Sequence, residues 1–399
     1  MTGSIILILN IALYLFTTLW LVKKQRTFTI GAFLLVSYTV VAFFCYLNYK
    51  SNPKDWHLNL FPFIYLFVVV IILFSPFINR RIKIKENPIG QKNQRLYKLV
   101  AKGYIVLSLY SCTVYLPQVI EIIINPSWLD LYTEAHEEAD TNIFIKFANL
   151  FFHIRYLGLV LFLSYLTRKK NRPLFLLLLG MSAILPIVLV TIKQASRGGF
   201  VSLFVSLIVV YLMFRDQLSE RLKRWLKMIT LTVLPASFIY ISAVTVARFE
   251  NNPYVESVGG TVLDYLGHSM LTFAYGIFDS ISKFSWGGFM FNFGPVSQMS
   301  SPLDPFYGTH FGTAFFTIVG ALYLDFGLIF TILLAFFFSR YIMIVSRGKP
   351  DVANLFLLLT YAMTLFNGVF VLGRGYGIQW IETFFIFFML KFAQRLKFD

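Results

Sequence analysis

The sequence has few cysteines and few charged residues for its length. Its 399 residues include two cysteines, Cys45 and Cys112, and both lie within apolar runs. Two such thiols form neither a disulfide framework nor, without histidines at ligand spacing, a zinc site. Charged residues make up 14% of the chain, whereas a soluble domain usually carries about a quarter. The chain therefore lacks the polar residues needed to cover the surface of a soluble fold.

Nucleotide-binding motifs are also missing. The sequence contains no glycine-rich phosphate loop of the Walker or dinucleotide type, which argues against ATP-driven transport and nicotinamide chemistry. It has no internal repeat of the kind that marks many secondary transporters. Nucleic-acid binding is disfavoured although the net charge is +16, because the charges form short islands between long apolar runs.

Those apolar runs are the dominant feature, since 57% of the residues are hydrophobic. A membrane-spanning helix needs roughly 20 apolar residues. The runs predict an all-α polytopic membrane protein in which residues 1–399 form a single integral membrane domain with about eleven spans. In chain order these are Ser4–Val22, Phe28–Tyr49, Leu60–Asn79, Leu99–Leu116, Lys146–Leu166, Leu174–Ile192, Phe200–Phe214, Met228–Ala247, Leu324–Val345, Ala353–Leu372 and Ile378–Leu390.

Basic residues predict the orientation of these spans. Alternate loops hold 24 of the 35 Lys and Arg residues, and the positive-inside rule places those loops in the cytoplasm. The N-terminus is then outside and the C-terminus inside. Most of the basic excess faces anionic cytoplasmic lipid and is a topology signal rather than a binding site. One such loop, RDQLSERLKRWLKM, predicts an amphipathic helix in the inner interface.

Two long segments fall outside by this topology. Residues 117–145 are acidic, and residues 248–323 form a connection of roughly 75 residues, far longer than a connection requires. The second segment repeats apolar residues at helical spacing, at Val262, Leu266, Met270 and Phe273. We therefore expect it to be helical and to cap a site.

The candidate functional groups are mainly arginines near the outer face, because the planar guanidinium binds two phosphate oxygens at once. Lys193, Ser196, Arg197 and Gly198 form a tight outer turn before a span. A helix N-terminus with small residues and an arginine is suited to bind an anion. The alternative is that Arg197 reaches lipid headgroups.

Three further arginines belong to this set, and each has a structural alternative. Arg374 lies in a glycine-rich outer turn, where it could simply be solvated, and Arg248 follows the eighth predicted span beside Glu250. Arg155 lies two helical turns into the fifth span, with His153 and Lys146 nearby. An intramembrane arginine needs a partner, which is either substrate or an internal carboxylate such as Glu121 or Asp325.

Two other residues complete the candidate site. His310, with Asp304 upstream, is positioned as a general base, or else is a hydrogen-bonded loop histidine. Asp325 is expected to cap its own helix or to pair with an arginine. We expect no cofactor and no metal, because fixed arginines can neutralise a diphosphate by themselves. An anionic, amphipathic ligand such as a polyprenyl diphosphate fits this arrangement.

In these features the chain resembles the bacterial O-antigen polymerases, the Wzy-type oligosaccharide repeat-unit polymerases. The topology is similar over most of the chain, with a large outside loop late in the sequence. Ser196, Arg197, Gly198 and Gly199 begin a span where the family has its Ser-Arg-Gly element. A histidine-containing segment precedes the span that carries Asp325, and an Arg–Gly turn joins the last two spans.

The resemblance implies a glycosyltransferase of the bacterial inner membrane, with its active site facing the periplasm. It would transfer a growing glycan from undecaprenyl diphosphate to a new lipid-linked repeat unit. Its partners would be these lipid-linked oligosaccharides, membrane lipid and a chain-length regulator protein, with no nucleic acid. For this reaction we expect diphosphate binding by Arg197 first, then by Arg374, Arg248 and Arg155, with Lys193. Acceptor activation is assigned to His310 together with Arg197. An orienting role is assigned to Asp325, Ser196 and Gly198.

Two alternative functions remain open. An O-antigen ligase, or another transferase that uses lipid-linked sugars, would use the same kind of donor. The ligases favour His followed by Asn in the late loop, where this chain has His310–Phe311. A lipid-linked oligosaccharide flippase or another transporter would move the lipid without forming a glycosidic bond.

Overall fold

The computed structural model describes residues 2–51, 58–82, 84, 86–124, 143–168, 172–194, 197–228, 258–278, 284–291, 317–348, 350–370 and 375–396. These parts of the chain are helical and contain no strand, which confirms the predicted all-α class for them. Their helices are α1 (Thr2–Gln25), α2 (Ile30–Ser51), α3 (Leu60–Ile78), α4 (Gln94–Ile124), α5 (Ile143–Leu166), α6 (Pro173–Lys193), α7 (Arg197–Phe214), α8 (220–228), α9 (Val258–Leu271), α10 (Gly288–Phe291), α11 (Ile318–Arg347), α12 (Val352–Asn367) and α13 (Tyr376–Arg395).

Seven of the described helices, α1 to α6 and α11, are long and apolar enough to cross a membrane. Helices α7 and α12 are apolar but shorter. The outer faces are strongly apolar, with Phe16 69% and Phe337 65% exposed. Contiguous surfaces of this kind are unfavourable in water and favourable in lipid. The count of eleven spans stays a prediction, because most of the predicted eighth span lies outside the described residues.

The long predicted outside loops contain more helix than their boundaries suggested. Helix α4 continues past Pro117 to Ile124, so the first eight residues of the predicted 117–145 loop are helical. In the 248–323 segment, α9 occupies the stretch with apolar helical spacing, and a π-helical turn follows it at Thr272–Ile277.

The chain groups into two compact units. The first comprises Met1–Ile82, Gly259–Gly348 and Tyr361–Ile381, and the second comprises Lys83–Val258, Lys349–Thr360 and Glu382–Asp399. Two of these boundaries fall within α12 and α13. The prediction of a single membrane domain stays a prediction.

In the first unit, α1, α2, α3 and α11 pack around buried aromatic rings. Tyr38 is fully buried, and its ring centroid lies 5.6 Å from that of Tyr14 and 5.2 Å from that of Phe74. The Tyr361 hydroxyl donates to the Leu73 carbonyl at 2.6 Å. Such bonds satisfy phenolic groups that burial would otherwise leave without water.

Helix α11 is kinked at Gly327, whose φ of 69° is the left-handed conformation that glycine adopts without strain. A bend here interrupts the helical hydrogen bonds of the preceding turn. The segment 284–291 supplies replacements, because the backbone N–H groups of Ser285 and Trp286 donate to the Leu324 and Asp325 carbonyls at 3.1 and 2.9 Å. The ninth predicted span, Leu324–Val345, therefore begins earlier, at Ile318, and contains a bend.

In the second unit, α4, α5 and α6 pack closely through small residues. The Ser108 hydroxyl donates to the Ser182 carbonyl at 2.9 Å, and the Ser111 hydroxyl donates to the Ala148 carbonyl at 3.1 Å. Small polar residues of this kind allow close helix approach in membrane proteins. They hold α4 against α5 and α6, the two helices that, together with α7, surround the candidate site.

Candidate functional site

A cavity of about 380 Å³ lies in the second unit, where α5, α6 and α7 meet. This volume is within the range of about 300–1,000 Å³ that is usual for ligand sites. Its lining includes polar side chains from all three helices, namely Asn149, His153, Arg155, Tyr156, Thr191 and Ser202. A polar cavity between otherwise apolar helices is a candidate binding site.

The order of the helices explains why the cavity forms at one end of them. Helices α5 and α6 are joined by a short connection, and α7 begins four residues after α6 ends. The beginning of α5, the end of α6 and the beginning of α7 therefore lie together. By the predicted topology this is the outer end.

The first turn of α7 contributes backbone to the cavity, through the lining residues Gly198 and Gly199. A Cβ atom on Gly199 would overlap the side chain of Thr191, so only glycine permits this close approach of α7 to α6. The first N–H groups of a helix lack intrahelical partners and carry partial positive charge. This helix end is consequently favourable for an anion.

Arg155 supplies a permanent positive charge to the same cavity. Its guanidinium carbon lies 4.8 Å from the ring centroid of Tyr156 and 5.7 Å from that of Phe152. Its Nη2 donates to the Tyr156 hydroxyl at 3.0 Å. Aromatic faces and a phenolic oxygen thus restrain the guanidinium, which lowers the entropy lost when it binds a phosphate.

His153 also lines the cavity, and its Nδ1 contacts the carboxylate oxygen Oε2 of Glu382 from α13. The two side chains are only partly exposed, at 27% and 34%. The sequence places His153 beside Arg155, whereas Glu382 is not among the predicted site residues. The available signal was a carboxylate within the predicted span Ile378–Leu390, because an intramembrane charge needs a partner.

Lys193 lies beside the cavity, next to the lining residue Gln194. Its ammonium group is 5.6 Å from the ring centroid of Tyr115, whose hydroxyl donates to the Asn149 side-chain oxygen at 2.6 Å. Asn149 is itself part of the lining. These contacts connect Lys193 to the cavity through an aromatic ring and a side-chain amide.

The structure therefore brings together three of the predicted site residues: Arg155 and Gly198 line the cavity, and Lys193 is adjacent to it. For Arg197 the described part is the backbone, which begins α7. The side chain of Arg197 and the whole of Ser196, Arg248, His310 and Arg374 lie outside the described residues.

Asp325 is fully buried in the first unit and does not line this cavity. Its carboxylate accepts hydrogen bonds from the backbone N–H groups of Phe289 and Met290, each at 2.9 Å, and from the Ser285 hydroxyl. It was expected to cap its own helix or to pair with an arginine. Its carboxylate caps α10, not its own helix, and fixes the segment that packs against the α11 kink. The pairing with an arginine stays a prediction.

Gly375, the first described residue after Arg374, lies beside the segment 284–291, because its N–H donates to the Phe289 carbonyl at 3.3 Å. Arg155, Lys193 and Gly198 belong to the second unit and Asp325 belongs to the first. Within the described residues, no group of three His, Cys, Asp or Glu side chains is arranged to hold a metal ion.

Comparisons with protein-family models, with curated proteins and with solved structures found no match for this chain. The chemistry of the α5–α7 cavity is therefore what supports a function for this chain.

Proposed function

We propose that this protein is a polyprenyl-diphosphate-dependent glycosyltransferase of the repeat-unit polymerase type, acting at the outer face of the bacterial cytoplasmic membrane. The observation that supports it most directly is the meeting of Arg155 with the N-terminus of α7 in one polar cavity between apolar helices. Both groups favour a phosphate anion, and the surrounding helices favour a lipid-linked one.

The proposed reaction needs stabilisation of the leaving group above all. The acceptor hydroxyl attacks the anomeric carbon of the donor glycan, and the bond between that carbon and the diphosphate oxygen breaks. Negative charge then develops on the diphosphate. A fixed guanidinium and a helix N-terminus that already face the site stabilise this charge without reorganising.

The size of the cavity and the character of its surroundings suit a donor with a long apolar tail. About 380 Å³ accommodates a diphosphate and part of a sugar but not a polyprenyl chain. At the same end of α5, the apolar residues Ile143, Phe144 and Phe147 are 62%, 63% and 56% exposed. The polyprenyl chain would lie along such faces in the lipid, while the headgroup enters the cavity.

The direct test is a transfer assay with purified protein in lipid nanodiscs and a polyprenyl-diphosphate-linked repeat unit as donor and acceptor. The wild-type protein is expected to form glycans longer than one repeat unit. Arg155→Ala should lower turnover by about 10²–10³-fold, the usual effect of removing one group that stabilises developing negative charge. Arg155→Lys should recover only part of this, since an ammonium binds phosphate as a single point charge.

A matched control is Arg340→Ala, because Arg340 is an exposed arginine on the membrane helix α11, away from the cavity lining. It should leave transfer unchanged. Absence of any new glycosidic bond with the wild-type protein would refute the proposal, and lipid movement without bond formation would indicate a transporter. Transfer to lipid A core instead of to a second repeat unit would indicate a ligase.

A further inference from the structure

The cavity contains a second chemical feature that the diphosphate-binding step does not use. His153, on the lining, and Glu382, from α13, meet through Nδ1 and Oε2 within the second unit. They lie on separate helices, α5 and α13, far apart in the sequence. Arg155 is two residues further along α5 and borders the same cavity, so the pair lies beside the proposed diphosphate-binding group.

The contact involves one imidazole nitrogen, Nδ1, and the two atoms touch without the geometry of a hydrogen bond. A carboxylate is an acceptor only, so a hydrogen bond formed between them during the reaction would place the proton on Nδ1. Nε2 would then keep its lone pair. In histidine–carboxylate pairs of this kind the carboxylate stabilises the imidazolium that forms when Nε2 takes up a proton.

We propose that His153 is the catalytic base that activates the acceptor hydroxyl, and that Glu382 is its positioning residue. This inference rests on the proposed function. The acceptor oxygen forms the new bond to the anomeric carbon, and its proton moves to Nε2 of His153. The bond to the leaving oxygen breaks with its electron pair remaining on the lipid diphosphate. The products are the extended glycan, a lipid diphosphate with one further negative charge, and protonated His153.

A purely structural ion pair between α5 and α13 would make the same contact, so the experiment must separate the two roles. The first measurement compares undecaprenyl diphosphate binding with transfer turnover in nanodiscs. His153→Gln should bind the lipid diphosphate within about threefold of the wild type. Its turnover should fall by about 10²–10⁴-fold, the usual range for losing a general base.

Variants of Glu382 test positioning. Glu382→Gln should lower the turnover number with little change in the Michaelis constant, and Glu382→Asp should recover part of the loss because it restores a carboxylate. The matched control is Lys391→Gln, which removes another ion pair of α13. The two side chains of that pair are about as exposed as His153 and Glu382. Its Nζ lies 2.6 Å from Asp351, with side-chain exposures of 30% and 24%. Transfer by Lys391→Gln should equal that of the wild type.

A third measurement remains informative if the glutamine variant folds poorly. His153→Ala leaves space for a small ring, and added imidazole should restore turnover as a free base. Thiazole, which is similar in shape but a far weaker base, should not restore it. Restoration by both rings would mean that His153 only fills space, and this would overturn the proposal.

The remaining outcomes separate this inference from the proposed function. Turnover by His153→Gln within twofold of the wild type, or equal loss of lipid-diphosphate binding and turnover, would overturn the assignment of the base. A wild-type protein that binds no undecaprenyl diphosphate and forms no glycosidic bond would instead overturn the proposed function.

Discussion

Replacing Gly199 with alanine changes the candidate site by a single methyl group. The added Cβ would overlap the side chain of Thr191 on the neighbouring helix. Thr191 has little freedom to move, because it is 3% exposed and its hydroxyl donates to the Ile187 carbonyl at 2.6 Å. The first turn of α7 must therefore move away from α6.

The size of the effect follows from this overlap. Overpacking a well-filled position costs about 1–3 kcal/mol, and misplacing a binding group by about 1 Å can lower turnover by about 10²-fold. We expect Gly199→Ala to lose transfer activity by about that factor and to weaken binding of undecaprenyl diphosphate. The protein should still insert into the membrane.

The assay measures lipid-diphosphate binding, turnover and melting temperature on the same nanodisc preparation. Gly103→Ala is the matched control, since a Cβ at this exposed position of α4 meets no atom within 4 Å. The double variant Gly199→Ala, Thr191→Ala should recover much of the activity because it removes the atoms that overlap. Wild-type activity in Gly199→Ala, or no recovery in the double variant, would refute the reasoning.

Two further predictions concern the α11 kink. Gly327→Ala should lower the free energy of unfolding by about 1–2 kcal/mol for the left-handed backbone, and by about 1–3 kcal/mol for displacing the Phe284 ring that the new methyl group would contact. Thermal unfolding in detergent measures this loss, and a melting temperature equal to that of the wild type would contradict it. Asp325→Asn should cost about 1.5–3 kcal/mol, because hydrogen bonds from two backbone N–H groups to a buried carboxylate are charge-assisted. Hydrogen exchange at Phe289 and Met290 should increase in this variant, and unchanged protection would argue against the cap.

Several elements could be predicted from the sequence because their signals are local. Runs of apolar residues such as Leu60–Asn79 and Leu174–Ile192 correspond closely to α3 and α6. A helix pairs its own backbone N–H and C=O groups, so the length of an apolar run is enough to predict a membrane-crossing segment. The turn before α7 was likewise identified from its small residues, and Gly198 lines the cavity.

The partners of the polar residues could not be predicted in the same way. From the sequence, Asp325 is expected to cap its own helix or to pair with an arginine. The Asp325 carboxylate caps α10, which begins more than thirty residues earlier in the chain. Its actual partners are backbone N–H groups, which every residue but proline possesses and which carry no sequence signal. They reach Asp325 because the segment 284–291 packs against α11 beside its bend at Gly327.

The sequence by itself determined the class of protein, namely a chain whose described residues form helices, several of them long and apolar enough to cross a membrane. It also determined some of the helix ends and marked Arg155 as a charge that requires a partner. The tertiary structure decided which groups meet. It joined His153 to Glu382 and brought Arg155 beside the N-terminus of α7. Helix formation depends on residues a few positions apart, whereas these contacts depend on how distant helices pack, and the packing is fixed by shape and by buried hydrogen bonds across the whole unit.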